Sequence, residues 1–349
     1  MTATRCASVR RPFGLSPCVA PISPGIQRMR QTHVMPQAAK TRFDTASALS
    51  VGMRDYQEDA VIADFPLGSD LGIAVLSDGM GGHAAGDVAS KIVMTEVYSE
   101  LKFQSGAPGT FVERLRDVLF GAAASANECL TAHVARNPNA MGMGATLVAT
   151  VLYEDRLHWI SIGDSPLYLY RDGELSQLNE DHSLAPQIDF MVQSGLMDSD
   201  VGAHHPARNC LPSVLAGEEI QRVDCPEKPL EMQDGDIVLV ASDGLQFLGD
   251  EGIRDILTAH SESSSAEIVE ALLREIDLLN DPEQDNVSMT LIKVQLEPAQ
   301  SVFRSNRVKT RDPDSVDTSE PANTAERPDP ADMPTLLLQD RAYFTDTSK

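Results

Sequence analysis

Five strand ends in this chain share one local grammar, an apolar run that meets an acid and a turn. "LGIAVLSD" (71–78) ends in Asp78, and "SDG" at 77–79 recurs at 242–244 behind "IVLVA", where it holds Asp243. "GDS" (163–165) holds Asp164, "QED" (57–59) holds Glu58 and Asp59, and "QDN" (284–286) sets Asp285 before another apolar run. A carboxylate buried inside a strand costs several kcal/mol unless it is paired or ligated. At the mouths of strands, several can converge on one cleft, and their repulsion then calls for a cation. Oxygen-only ligands suit Mg2+ or Mn2+, and the His/Cys set that zinc prefers is missing from these stretches. One Asp-Gly alone would be a turn cap; the repetition is what points to metal.

The glycines in "DGMGGHAAG" (78–86) admit a competing reading as a phosphate cradle. A P-loop needs GxxxxGK[ST], and no lysine follows these glycines before Lys91. Gly79-Met80-Gly81-Gly82-His83-Ala84 approximates the dinucleotide fingerprint, but Asp78 would repel a pyrophosphate and hairpins follow in place of a βαβ unit. On the metal reading, the glycines let the chain turn sharply, so that the Gly79 carbonyl can also reach an ion. A binuclear oxygen-ligated site makes a bound water nucleophilic at neutral pH and clamps phosphoryl oxygens, which suits phosphoester hydrolysis. Arg54, four residues before Glu58 in "GMRDYQED", is the candidate for the phosphate itself, since its fork can bind bidentately. An ion pair with Asp55 or another acid is the alternative for Arg54.

These groups need strands to carry them. "TASALSVG" (45–52), "LGIAVLSD", "GATLVATVLYE" (144–154), "RLHWISIGD" (156–164), "PLYLYRDGELSQL" (166–178), "GDIVLVASDG" (235–244) and "DNVSMTLIKVQL" (285–296) are β-rich and bounded by turns. "EDRLHW" and "YRDGEL" read as hairpin turns. Helical spacing covers 87–101 and 110–135, and 264–280 opens with Ser264 and Glu267 at capping-box spacing. Strands in hairpin runs with helices in pairs predict antiparallel sheets covered by helices.

The net charge of −24 argues against nucleic acid as a partner and gives no support for an anionic membrane surface. No run of 18 apolar residues occurs, so no membrane span is expected. Cys6, Cys18, Cys129, Cys210 and Cys225 are odd in number and without CxxC spacing, which fits a reducing cytoplasm. Residues 1–43 are basic and proline-broken, compatible with a disordered arm, a targeting segment or translation upstream of a start at Met35. Residues 297–349 form an acidic, proline-rich tail expected to be disordered, with one apolar island, "MPTLLLQDRAYF".

Taken in order, "GMRDYQEDA", "VLSDGMGGHAAGDVAS", "GATLVA", "SIGDSPLYLY", "DHS", "LVASDGL" and "DNVSMTLI" resemble the PP2C-type (PPM) metal-dependent protein serine/threonine phosphatases, over roughly residues 44–296. "DGMGGHAAGDVAS" resembles the bacterial branch. The resemblance implies an α+β fold, a four-layer α-β-β-α sandwich of two antiparallel sheets flanked by helix pairs. It implies that Asp78 bridges two metals, that Gly79 ligates through its carbonyl, and that Asp243 and Asp285 complete one shell. Glu58 and Asp59 complete the other, one of them through water, since successive strand residues face opposite sides. Asp164 matches a weaker third-metal position, Arg54 the phosphate-binding arginine, and Thr146 a supporting position behind the ligands. Residues 181–219 resemble the bacterial flap. Three departures stand out: Gln57 replaces the usual Asn, Pro166 an arginine, and Met80 the histidine of animal relatives, so His83 is left as a structural residue and the general acid is unassigned. The implied partners are phosphoserine and phosphothreonine proteins that a Ser/Thr kinase supplies, met by a cytoplasmic monomer. A phosphoprotein-binding scaffold, or a small-molecule phosphohydrolase on the same site, are the rival readings; the scaffold predicts a missing metal acid, and none is missing.

Overall fold

The computed structural model describes residues 43–296 except Gly82, His83 and Asn209. The expectations for the basic arm before residue 43, the tail with its apolar island, and His83 lie outside the described residues. In chain order the elements are β1 (Phe43–Ser50), β2 (Asp59–Asp64), β3 (Leu71–Met80), α1 (Ala84–Gln104), α2 (Pro108–Glu113), α3 (Leu115–Arg136), β4 (Gly144–Ala145), β5 (Leu147–Tyr153) and β6 (Arg156–Ile162). There follow β7 (Leu167–Arg171), β8 (Glu174–Gln177), α4 (Ala185–Gln193), α5 (Ser199–Ala203), β9 (Leu230–Glu231), β10 (Ile237–Ala241), α6 (Gly249–Ala259), α7 (Ser265–Leu279) and β11 (Val287–Val294).

Two antiparallel sheets result. One runs β1-β11-β10-β7-β8; the other runs β2-β3-β5-β6-β9, with β4 paired to β3. Strand alternation divides their side chains between three apolar layers. In β3, Ile73 and Val75 pack with Val93 and Val97 of α1 and Leu119 and Leu130 of α3. The intervening Ala74 and Leu76 meet Val238, Val240 and Ile292 of the other sheet. In β10, Ile237 and Leu239 turn outward onto Ile253 and Leu257 of α6 and Ile268 and Leu272 of α7. Both faces of both sheets are covered, which is why the central strands read as unbroken apolar runs. The architecture is the four-layer α-β-β-α sandwich that the sequence led us to expect.

Local signals set several boundaries. Ser264 and Glu267 form a reciprocal capping box at the start of α7, and Asn280 ends that helix in the left-handed conformation (φ 48°). The β7–β8 hairpin turns on Asp172 (φ 53°) and Gly173 (φ 86°), as a two-residue Asp-Gly loop does.

Several features differ from the sequence reading. The helical period over 110–135 is two helices, because Arg114 (φ −111°, ψ 8°) leaves helical geometry between α2 and α3. The run 144–154 breaks at Thr146 into β4 and β5. Neither β2 nor α6 is anticipated. "DAVIAD" is short and acidic at both ends, and "GDEGIRDILTA" holds two glycines, so packing rather than propensity decides them.

Candidate active site

Asp78 sits near the end of β3, and the β2–β3 register sets Asp59 directly opposite it. Opposed residues of an antiparallel pair share a face, and like charges there destabilise the pair. Thr146, in the break between β4 and β5, grips the Asp78 backbone from both sides. Its Oγ1 accepts from the Asp78 N–H (2.9 Å), and its own N–H donates to the Asp78 carbonyl (2.8 Å). The same Oγ1 is 2.7 Å from Ser165 Oγ, in the turn that carries Asp164. Gly163 takes φ 109° in that turn, and a Cβ there would lie 2.8 Å from Thr146 Cβ. One threonine thus fixes the spacing between two of the acids.

Asn286 does the same for a second pair of loops. Its Oδ1 accepts from the Glu58 N–H (2.7 Å), and its Nδ2 donates to the carbonyls of Val51 (2.8 Å) and Tyr56 (2.9 Å). The Met53 N–H donates to the Gln284 carbonyl (3.0 Å). The 51–58 loop, with Arg54 and Glu58, is thereby tied to the segment that holds Asp285. Arg54 Nη2 donates to Asp285 Oδ2 at 2.6 Å, so the acid it pairs with is Asp285 and not its neighbour Asp55. The sequence reading gave no role to Asn286. Its "DN" was visible, but nothing local says which backbone groups a buried amide will satisfy.

A cavity of about 330 Å3 gathers these groups. Arg54, Glu58, Asp78, Gly79, Thr146, Asp164, Asp243 and Asp285 line it, alongside Leu211 of the flap segment. Every residue singled out from the sequence is there except Asp59. Asp59 lies behind the wall, 3% exposed, with Oδ2 accepting from Ser242 Oγ at 2.8 Å. Glu58 is the member of the pair that faces the cavity. A Cβ on Gly86, in the first turn of α1, would lie 2.6 Å from Glu58 Oε1, so glycine there makes room for that carboxylate. Gly81 leaves β3 at φ 135°, as the sharp turn after Asp78 requires.

Crowding and burial raise the acids together. Burial, then the charges of Asp59, Asp243, Asp164 and Asp285, hold the Asp78 carboxyl well above the usual range. Burial also pushes Asp59 up to about 6, against the Ser242 hydrogen bond, and Asp164 up to about 7, helped by the Asp243 charge. Asp243 is raised by burial and by Asp285. Among the described residues, no three His, Cys, Asp or Glu side chains are drawn around one point. The donor set nevertheless fits hard cations. Asp59 Oδ1 and Asp243 Oδ1 are buried without a hydrogen-bond partner, and all the groups at hand are oxygens.

A stability prediction follows from those shifts. In the unfolded chain these carboxyls ionise near 3.8, whereas folded Asp164 keeps its proton to about 7. Its contribution is therefore full below pH 4 and is lost as pH rises toward 7. The imidazoles of His158 and His182, lowered by burial, act in the opposite sense, so a difference is the clean measurement. In chelator, Asp164→Asn is expected to gain on the order of 2 kcal/mol relative to wild type between pH 4 and 8. Calorimetric Tm values that move in parallel for both proteins across that window would contradict the crowding described here.

The sequence and the fold have counterparts among known proteins. The family model described as "Protein phosphatase 2C" matches residues 56–278, well over half of the chain. The chain belongs to the protein phosphatase 2C family. Its PP2C domain is 34% identical over 227 residues to the serine/threonine protein phosphatase PstP of Mycobacterium tuberculosis, a match that covers 64% of this chain and 40% of that protein. The chain thus spans less than half the length of that curated relative. The crystal structure of the M. tuberculosis phosphatase PstP/Ppp superposes on the PP2C domain with a TM-score of 0.60 at 31% identity, over 72% of this chain and 99% of that one. A crystal structure of the PstP catalytic domain in complex with two manganese ions aligns at 31% identity and a TM-score of 0.57, over 72% and 98% of the two chains. Among the described residues of the PP2C chain, no helix is long and apolar enough to cross a membrane.

Proposed function

We propose that residues 43–296 form a catalytic unit that hydrolyses phosphoserine and phosphothreonine in proteins, using two Mg2+ or Mn2+ ions and a weaker third. The observation that carries this reading is the single cavity in which Arg54 meets Glu58, Asp78, Asp164, Asp243 and Asp285. The printed activity of the PstP relative, and the two manganese ions in one of its structures, support it. Asp78 would bridge the two ions, with the Gly79 carbonyl as a further ligand. Asp243 and Asp285 would complete one shell, Glu58 the other, with Asp59 braced behind it, and Asp164 would hold the third ion. When bound, the ions would supply a water that is nucleophilic at neutral pH and offset charge on the phosphoryl oxygens.

The chain's own groups do the rest. The Arg54 fork orients two phosphoryl oxygens, which sets the phosphorus for in-line displacement. Thr146 and Asn286 hold Asp78 and the Arg54 loop in register, so that little reorganisation accompanies the reaction. The unit would act as a cytoplasmic monomer that opposes a Ser/Thr kinase, with residues 1–42 and 297–349 outside it; Phe43, assigned to the basic arm from the sequence, belongs to β1. Phosphate release from a phosphothreonine peptide tests the reading. Release is expected only with Mn2+ or Mg2+ and is expected to be lost in Asp243→Asn. Release that survives chelation, or the substitution, would sink the mechanism.

A further inference from the structure

A second cavity, of about 470 Å3, shares Arg54, Asp243 and Asp285 with the acidic one and is completed by Phe247, Pro282 and Glu283. Its outer wall comes from the two loops that carry the metal acids. Phe247 lies in the 3-10 turn that Asp243 opens, and Pro282 and Glu283 lie three and two residues before Asp285, with Gln284 between. The loops are stitched together: Gln284 Nε2 donates to the Gly244 carbonyl at 3.0 Å, and a Cβ on Gly244 would strike the Asn286 backbone. The Glu283 N–H donates to Asp281 Oδ1 at 2.9 Å, which fixes the turn. Phe247 is 40% exposed, and Pro282 and Glu283 are exposed beside it. Among the described residues, the Glu283 carboxylate takes part in no ion pair.

We propose that this cavity takes the side chain of a lysine or arginine next to the phosphorylated residue, so that the enzyme prefers substrates with a basic neighbour. The inference rests on the phosphatase reading above and names the substrate feature that the same site selects. With the phosphoryl group on Arg54, a residue one or two positions along an extended peptide, at about 3.3–3.6 Å per residue, reaches the adjoining space. The shared wall residues are then engaged, Arg54 by phosphate and Asp243 and Asp285 by metal. What the cavity still offers is an aromatic face, a proline ring and one carboxylate. A long basic side chain matches all three, with its stem along Phe247 and Pro282 and its cation at the ring face or at Glu283. An apolar residue would cover the Glu283 carboxylate without satisfying it, and an acidic one would be repelled.

The test compares phosphothreonine peptides that carry Arg or Ala at each of the two positions on either side of the phosphoresidue. For at least one position, the Arg peptide is expected to have a kcat/KM about threefold to fivefold higher, the scale of a rim-exposed charge pair. The preference should vanish in Glu283→Gln and invert in Glu283→Lys, while Mn2+-supported hydrolysis of p-nitrophenyl phosphate, which has no cation to offer Glu283, stays unchanged. Equal kcat/KM for Arg and Ala peptides in wild type, or a preference that survives Glu283→Gln, would overturn the inference. Failure to hydrolyse p-nitrophenyl phosphate at all would instead count against the phosphatase reading. In that event, fluorescence anisotropy of the labelled peptides still reads the discrimination, and equal affinities overturn the subsite.

Discussion

Asp78→Asn is expected to lower Mn2+-supported turnover of a phosphothreonine peptide by about a thousandfold or more, while leaving the chelator-treated protein at least as stable as wild type. The two halves have one cause. Asp78 faces Asp59 across the β2–β3 register and feels the charges of Asp243, Asp164 and Asp285 as well. Without cations, its charge is a burden on the fold; with them, it would be the carboxylate proposed to bridge the two ions. Asparagine keeps the shape and leaves the backbone bonds to Thr146 in place, so the fold loses only repulsion. A residue that merely supported the strand would give the reverse, a fall in Tm with activity in proportion to folded protein. Activity within tenfold of wild type, or a Tm several degrees lower in chelator, would refute the assignment. Mn2+ titration by calorimetry supplies a third readout, and a clear weakening of binding is expected.

The second large effect concerns Arg54. Arg54→Ala is expected to reduce kcat/KM by about a hundredfold, and Arg54→Lys to recover only part of the loss, because a point charge cannot reproduce two parallel hydrogen bonds. The 2.6 Å pair with Asp285 adds a less obvious expectation. The guanidinium holds a carboxylate proposed as a metal ligand and adds positive charge beside the ion's position. Its removal is therefore expected to tighten Mn2+ binding a few-fold even as catalysis collapses. Isothermal titration of Arg54→Ala decides this, and an unchanged or weaker Mn2+ affinity would show that the pair does not compete with the metal.

The sequence made the layers legible because both faces of each sheet are covered, which leaves central strands such as "VLVA" and "SMTLI" unmistakable. Asp78, Asp164, Asp243 and Asp285 were equally visible, since an acid at the mouth of an apolar run is a local pattern. What stayed hidden depends on partners far away in the chain. β2 is a strand because β3 takes it as a neighbour, and α6 is a helix because Ile253 and Leu257 find a sheet. The pairing of Arg54 with Asp285 and the three bonds of Asn286 each span more than 200 residues. The orientation of Glu58 toward the cavity and of Asp59 behind it depends on the β2 register and on Ser242, and no window of sequence encodes either.

The pairing of β1 with β11 has a consequence for the making of the protein. The first strand of its sheet lies against the last, in register from Phe43 opposite Val294 to Ser50 opposite Val287, and Asn286, the residue just before β11, bonds to the loop after β1. A chain emerging from the ribosome holds Arg54 and Glu58 for more than two hundred residues before Asp285 exists to meet them. Such a non-local closure is slow by nature, and it also acts as a timing device. The proposed catalytic cleft cannot be complete on a chain that stops short of Asp285, so partial products of that length would be silent.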